Sequence, residues 1–347
     1  MKGLRKYLTP FAPDQSGAAS VLYDLGGILV ICDAGGCAGN ICGFDEPRWS
    51  TQRSAVFSAG LRDMDAILGR DDRLVEKLAA AAERIDANFA AIIGTPVPAV
   101  IGTDFQALGR MAKRKTGLPI LSLPCYGMKL SDAGEEMAYD ALFRTLAEDT
   151  TEADPGRIGV LGAATLELGD LSEAEEIREA LTAEGWETVS LYGMGASFRE
   201  VRTAGLAAKN LVIAPSGLKA AKYLAERFGT PYEVRYPVED PRLEALDLTG
   251  KRVLAVHQQV RANSLREQLR MHGAETVRTA SWFRMDDSLS EPGDVHLAEE
   301  DAFMDLVREG EFDVILADDT LRPMCPDFRG LWLSLPHFAV SGKQVVV

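Results

Sequence analysis

Histidine is missing from the first 256 residues; the chain has four, His257, His272, His296 and His337. That gap leaves most of the chain without the imidazole base that a cysteine nucleophile needs. It also argues against mixed cysteine–histidine zinc sites there. No run of about 18 apolar residues occurs, so no membrane span is expected. The opening "MKGLRKYLTPFAPDQSG" is briefly basic but has neither an apolar core nor a cleavage site, so no signal peptide is expected. Basic charge is scarce: 37 Lys and Arg stand against 52 Asp and Glu, a formal net charge of −15. A surface of that sign repels phosphate backbones, and no nucleic-acid partner is expected. The glycine-rich "GGCAGNICG" lacks the Lys-Ser/Thr ending of a P-loop, and neither it nor "GMGASFRE" completes G-x-G-x-x-G. The expected compartment is cytoplasmic, where five cysteines read as thiols or metal ligands rather than as a disulfide framework.

What is present is an alternation. The 347 residues, 46% of them hydrophobic, suffice for two or three cores. Apolar strand-like runs alternate with amphipathic stretches, which predicts an α/β fold of parallel sheets in three Rossmann-like domains. The first, 1–150, contains "GILVICDAGG", "FAAIIGTPVPAVIG" and "LPILSLPCYG" as strands with helical stretches between them. The second, 151–240, opens after the linker "EDTTEADPG" with "RIGVLGA" (157–163) and continues through "TVSLYG" and "NLVIAPS". Its helices are announced by Ser172 with Glu175 and by Ser197 with Glu200, two capping boxes, and by Gly185 as a stop. The third, 241–347, carries "KRVLAVHQQ", "ETVRTASW" and "FDVILAD". The acidic "RMDDSLSEPGDVHLAEE" reads as a surface loop.

Three of the five cysteines, Cys32, Cys37 and Cys42, occupy one short stretch, "VICDAGGCAGNICGFDEPRW". In a parallel sheet, ligands gather at the carboxyl ends of the strands. Cys32 ends the first strand, Cys37 and Cys42 lie in the loop beyond, and Cys125 ends "PILSLPC". Two separated segments thus bring thiols to one face. Gly35, Gly36, Gly39 and Gly43 permit a bulky group to approach the backbone, and their N–H groups suit cluster sulfides. The alternative is burial: cysteine is also a small core residue. That alternative is strongest for Cys325 and remains open for Cys32 and Cys125.

With "GGC", "GTPVPAVIGTDFQALGRMAKRKTGLPILSLPCYG" and "GMGASFREVRTAGLAAKNLVIAPSGLKAAKYLAERFGTPY" in this order, the chain resembles the nitrogenase component 1 family. That family holds nitrogenase subunits and the light-independent protochlorophyllide reductases. The resemblance implies three Rossmann-like domains, a core of two similar subunits (homodimer or heterodimer), and an iron–sulfur cluster between them. It also implies an ATP-hydrolysing iron protein as electron donor. By motif position Cys37 is the leading ligand of that cluster, followed by Cys42 and Cys32, with Cys125 and Gly36 nearby.

The departures from the family narrow the reading. Val97 stands where many relatives place a cluster cysteine, no cysteine precedes Cys32, and Ala221 falls near the cofactor cysteine of nitrogenase proper. His337 in "LPHFAVSG" is comparable with the cofactor histidine, with core packing as the alternative. The expectation is a reductase of a tetrapyrrole or other small unsaturated molecule, not of dinitrogen. Its cluster would be [4Fe–4S], with Cys37 and Cys42 from each of two chains supplying four thiolates. Asp33 or Asp45 would substitute for a thiolate, unless each is simply a loop carboxylate. A non-catalytic cluster or cofactor scaffold of the same fold is the alternative function. Arg48, Arg62 and Arg70 are candidates for docking a partner, against the alternative of surface ion pairs.

Overall fold

The computed structural model describes residues 5–52, 54–150 and 152–343, with the side chain of Ala66 left aside. Three parallel sheets organise the chain. The first contains β1 (Ile28–Ile31), β2 (Ala55–Ser58), β3 (Ala90–Ile93) and β4 (Ile120–Leu123) in the order β2-β1-β3-β4. The second contains β5 (Asp154–Leu161), β6 (Thr188–Leu191), β7 (Ala207–Val212) and β8 (Tyr232–Val234) in the order β6-β5-β7-β8. The third contains β9 (Arg252–Val256), β10 (Thr276–Ser281), β11 (Val295–His296), β12 (Val314–Ala317) and β13 (Leu331–Ser334) in the order β11-β10-β9-β12-β13.

Each sheet grows outward from its first strand and then reverses to the other side. The reversal points lie at β1/β3, β5/β7 and β9/β12, and crevices form at the carboxyl ends there. β1 and β3 are buried throughout because helices cover both faces, so they read as unbroken apolar runs.

The linker expectation shifts: β5 begins at Asp154, within the segment read as linker, while Thr151 lies outside the described residues. The acidic loop contains the two-residue strand β11. Of the two expected capping boxes, Ser197 with Glu200 forms. Ser172 does not cap its helix; its hydroxyl and N–H both donate to Asp170, at 2.6 and 2.7 Å. An acid two residues upstream offers a nearer and charged acceptor. Gly185 does follow the end of that helix, at φ +101°.

The helix Asp14–Leu22 is buried along its whole length against the helix Ser131–Leu146. Gly17 faces the Ser131 carbonyl, and Gly134 faces the Asp14 carbonyl, so close that a methyl group fits at neither position. One apolar core then runs from the first sheet into the second, through Leu29, Leu121, Tyr139, Leu142, Tyr192 and Leu218. The amino-terminal segment packs elsewhere. Leu8 and Phe11 enter the core of the third sheet. Glu300 accepts the N–H groups of Lys6, Tyr7 and Leu8 at 2.8, 2.9 and 2.7 Å.

Candidate metal-cluster site

The glycine turn grows out of β1. The Cys32 N–H donates to the Ile93 carbonyl, which carries the first strand one residue beyond its formal end. Buried Asp33 then anchors the turn. It accepts the Ser58 hydroxyl at 2.6 Å and the Ala38 N–H at 2.9 Å. Gly35 adopts φ +125°, a conformation that L side chains rarely reach. A short helix, Gly36–Asn40, carries Cys37 and buries none of its residues. It widens into the π-helical turn Ile41–Asp45, which carries Cys42 and is pinned to the core by Ile41.

Cys37 and Cys42 are both half-buried. A β-carbon added at Gly36, Gly39 or Gly43 would meet nothing within 4 Å. The fold of this chain therefore does not require glycine at those three positions. The bare surface they leave is free for something outside the chain.

The thiols sit among acids. Burial and then Asp33 push the Cys37 thiol above its ordinary range, while Thr95 pulls it back. Burial and then Glu46 raise Cys42. The expected companions differ in kind. Cys32 is buried among Val30, Ala59, Leu74 and Phe105, and burial first, then Asp71 and Asp33, pushes it to about 12. Cys125 is buried with its Sγ 4.0 Å from the Met137 sulfur, and burial raises it strongly. Cys325 lies far along the chain beside the third core, raised by burial to about 11. The surroundings of Cys32 and Cys125 are those of packed core thiols, with hydrocarbon where a ligand would stand.

Among the described residues no three histidine, cysteine, aspartate or glutamate side chains converge on a point that a metal ion could occupy. The donor set fits an iron–sulfur cluster only in part: two accessible thiols per chain are half of the four that [4Fe–4S] takes. A second chain would supply the rest. The rim of the turn suits such a chain. Phe44 follows β1, Met64, Ile67 and Leu68 follow β2, Val100 follows β3, and Met128 follows β4. All six are exposed, Val100 to 86% and Met128 to 80%. All six lie in segments that follow the carboxyl ends of these parallel strands.

Arg48 overturns its docking role. It is buried, donating to Glu46 at 2.8 and 2.7 Å, to Asp24 at 3.0 Å, and to the carbonyls of Gly193 and Ser20 at 2.9 and 2.6 Å. It ties the cysteine turn to the second sheet. Arg62 and Arg70 remain exposed. Asp33 and Asp45 are both engaged within the chain, the latter by the Ser16 hydroxyl at 2.6 Å.

Deeper in the molecule, His337 is buried and stacks on His257 with ring centroids 4.0 Å apart. Burial lowers both imidazoles, His337 to about 3, so both rings are neutral. Two residues escaped the sequence reading, Glu135 and Glu167, both buried. A signal existed for the first. Glu135 shares its helical stripe with Ala138, Tyr139 and Leu142, all of them core residues, and an acid on such a stripe is rarely solvated.

The fold and the family meet here. Residues 16–239 match the family described as Nitrogenase component 1 type Oxidoreductase, and the chain belongs to it. It is 30% identical over 205 residues to the nitrogenase iron-molybdenum cofactor biosynthesis protein NifE of Clostridium pasteurianum, covering 56% of this chain and 43% of that protein. It is 26% identical over 222 residues to NifE of Klebsiella pneumoniae, covering 57% and 46%. The nitrogenase molybdenum-iron protein alpha chain of Methanosarcina barkeri matches at 23% over 177 residues, covering 50% and 32%. The chain thus matches less than half the length of these curated relatives. A solved structure titled Nitrogenase Cp1 at pH 6.5 superimposes with a TM-score of 0.72 at 11% identity, over 96% of this chain and 87% of that one. At that identity the likeness shows the α/β fold and its parallel sheets.

Proposed function

We propose that this chain is the cluster-bearing subunit of a nitrogenase-like assembly and serves as a scaffold that holds a metal–sulfur cofactor for a partner. Cys37 and Cys42 grip one half of an iron–sulfur cluster, and a similar or identical subunit grips the other. The observation that carries this reading is the pair of half-buried thiols on an open glycine turn, with exposed apolar side chains on the segments that follow the neighbouring strands. The cofactor biosynthesis proteins among its relatives support the scaffold role over turnover. When bound, the cluster supplies one-electron redox chemistry and a store of iron and sulfide. Burial, and then the negative charge of Asp33 and Glu46, disfavours bare thiolates at Cys37 and Cys42.

A second reading keeps the chain catalytic. There it takes electrons from an ATP-hydrolysing iron protein and reduces a small unsaturated or tetrapyrrole-type molecule. The oxidoreductase type of its family favours this reading.

Both readings place the cluster at the cysteine turn, and anaerobic reconstitution separates them. A scaffold loses its iron to an apo acceptor protein without consuming ATP. A reductase retains its iron while an added iron protein hydrolyses ATP and the electron paramagnetic resonance signal cycles. A protein that binds no iron anaerobically, with its partner subunit present, overturns both.

A further inference from the structure

The short turn Thr165–Glu167 after β5 touches all three units. The Thr165 hydroxyl meets Ser20 at 2.7 Å, Leu166 packs into the core of the third sheet, and Glu167 faces the helix Ser131–Leu146. The Leu168 carbonyl then accepts the Phe338 N–H at 2.9 Å. At this seam the carboxyl groups of Glu135 and Glu167 approach within hydrogen-bonding reach of each other. Glu135 is 0% exposed and Glu167 4%. Among the described residues no protein group makes a close hydrogen bond to either oxygen of Glu135 or to Oε2 of Glu167; the Ser216 hydroxyl is the neighbouring donor that steadies the Glu135 carboxylate. Among the described residues no cation bears on either group: Arg48 is committed to Glu46 and Asp24, and Arg284 to Asp132 and Glu136. Asp132 and Tyr139 also face the pair from the same helix, adding an acid and a neutral phenol.

Two bare carboxylates cannot share such a place. Desolvation and mutual repulsion together cost a large part of a fold's margin of stability. A carboxylic acid donating to a carboxylate removes one charge and satisfies two of the stranded oxygens at once. We infer that Glu135 and Glu167 form a proton-binding site at the junction of the three units, retaining at least one proton at neutral pH and closing the seam between the helix Ser131–Leu146 and the turn after β5. Burial raises both groups: Glu135 reaches about 8 although its hydrogen bonds to Glu167 and Ser216 pull it back, and Glu167 is raised further by the charge of Glu135.

Between the unfolded value, 4.5, and about 8, the folded chain holds a proton that the unfolded chain has lost. Folding is therefore weakened as pH rises across that window, and the site's contribution is gone above it. The unfolding constant of the wild type, divided by that of the Glu135→Gln/Glu167→Gln double variant, should rise about tenfold or more per pH unit in the window. Amide exchange in the two seam segments should accelerate above about pH 8, ahead of the rest of the molecule.

Infrared spectroscopy of the wild-type chain provides a check that needs no variant: the carbonyl band of a protonated carboxylic acid, present at neutral pH and lost on alkalinisation. The Glu135→Gln/Glu167→Gln double variant should lose that band. Its absence from the wild type at neutral pH, or a pH-independent stability ratio, overturns the proposal.

Discussion

Arg48 satisfies four separate groups from a nearly dry position, with its guanidinium also lying 4.7 Å above the Tyr23 ring. Removing it strands Glu46 and Asp24 in the interior. Arg48→Ala should cost about 3–5 kcal/mol, read by urea unfolding. Arg62→Ala, on an exposed side chain, should stay within about 0.5 kcal/mol. The thiols divide in the same way. Cys37→Ser and Cys42→Ser should leave the isolated chain folded with stability near wild type, because both sit half-exposed on a turn that buries little. Each should abolish the iron bound on anaerobic reconstitution. Cys325→Ser should keep full iron content, so equal loss in all three variants would sink the assignment.

At the scale of elements, glycine has two opposite uses. Gly17 and Gly134 let the helices Asp14–Leu22 and Ser131–Leu146 approach backbone to backbone. Gly134→Ala forces them apart and should destabilise by about 1–3 kcal/mol, measured by denaturant midpoint. Gly39 lies within the short cysteine helix, and a methyl group there meets nothing. Gly39→Ala should stabilise the isolated chain by about 0.5–1 kcal/mol through helix propensity. Were Gly39→Ala instead as damaging as Gly134→Ala in the isolated chain, the turn would be packed rather than open.

Two sets of buried groups govern the molecule as a whole through pH. His257 and His337 are held neutral, below their ordinary 6.5. Their contribution is complete above that value and is lost as pH falls, because the unfolded chain takes up protons that the folded one refuses. Glu135 and Glu167 act in the opposite sense up to about 8. Stability should therefore peak near pH 6.5 and decline on both sides, as equilibrium unfolding across the range would show. His337→Gln should flatten the acid limb and leave the alkaline limb in place. An unchanged acid limb in that variant would remove the histidine stack from the account.

Periodicity and turn chemistry already made the layered α/β architecture legible. "ILVI" and "AAII" are short unbroken apolar runs that became strands buried on both faces, and Gly185 marks a helix end at positive φ. The cysteine turn was legible for the same local reason, since its glycines and thiols are neighbours in sequence. Tertiary structure alone decided which thiols stay accessible. Cys32 and Cys37 are five residues apart, yet one continues a strand into the core and the other rides an uncovered helix. It also turned Arg48 inward and brought Glu135 against Glu167 across 32 residues of chain, from 135 to 167. Local sequence sets backbone conformation through short-range sterics and hydrogen bonds. Burial, and with it protonation and ligand access, depends on which distant segments arrive to exclude water.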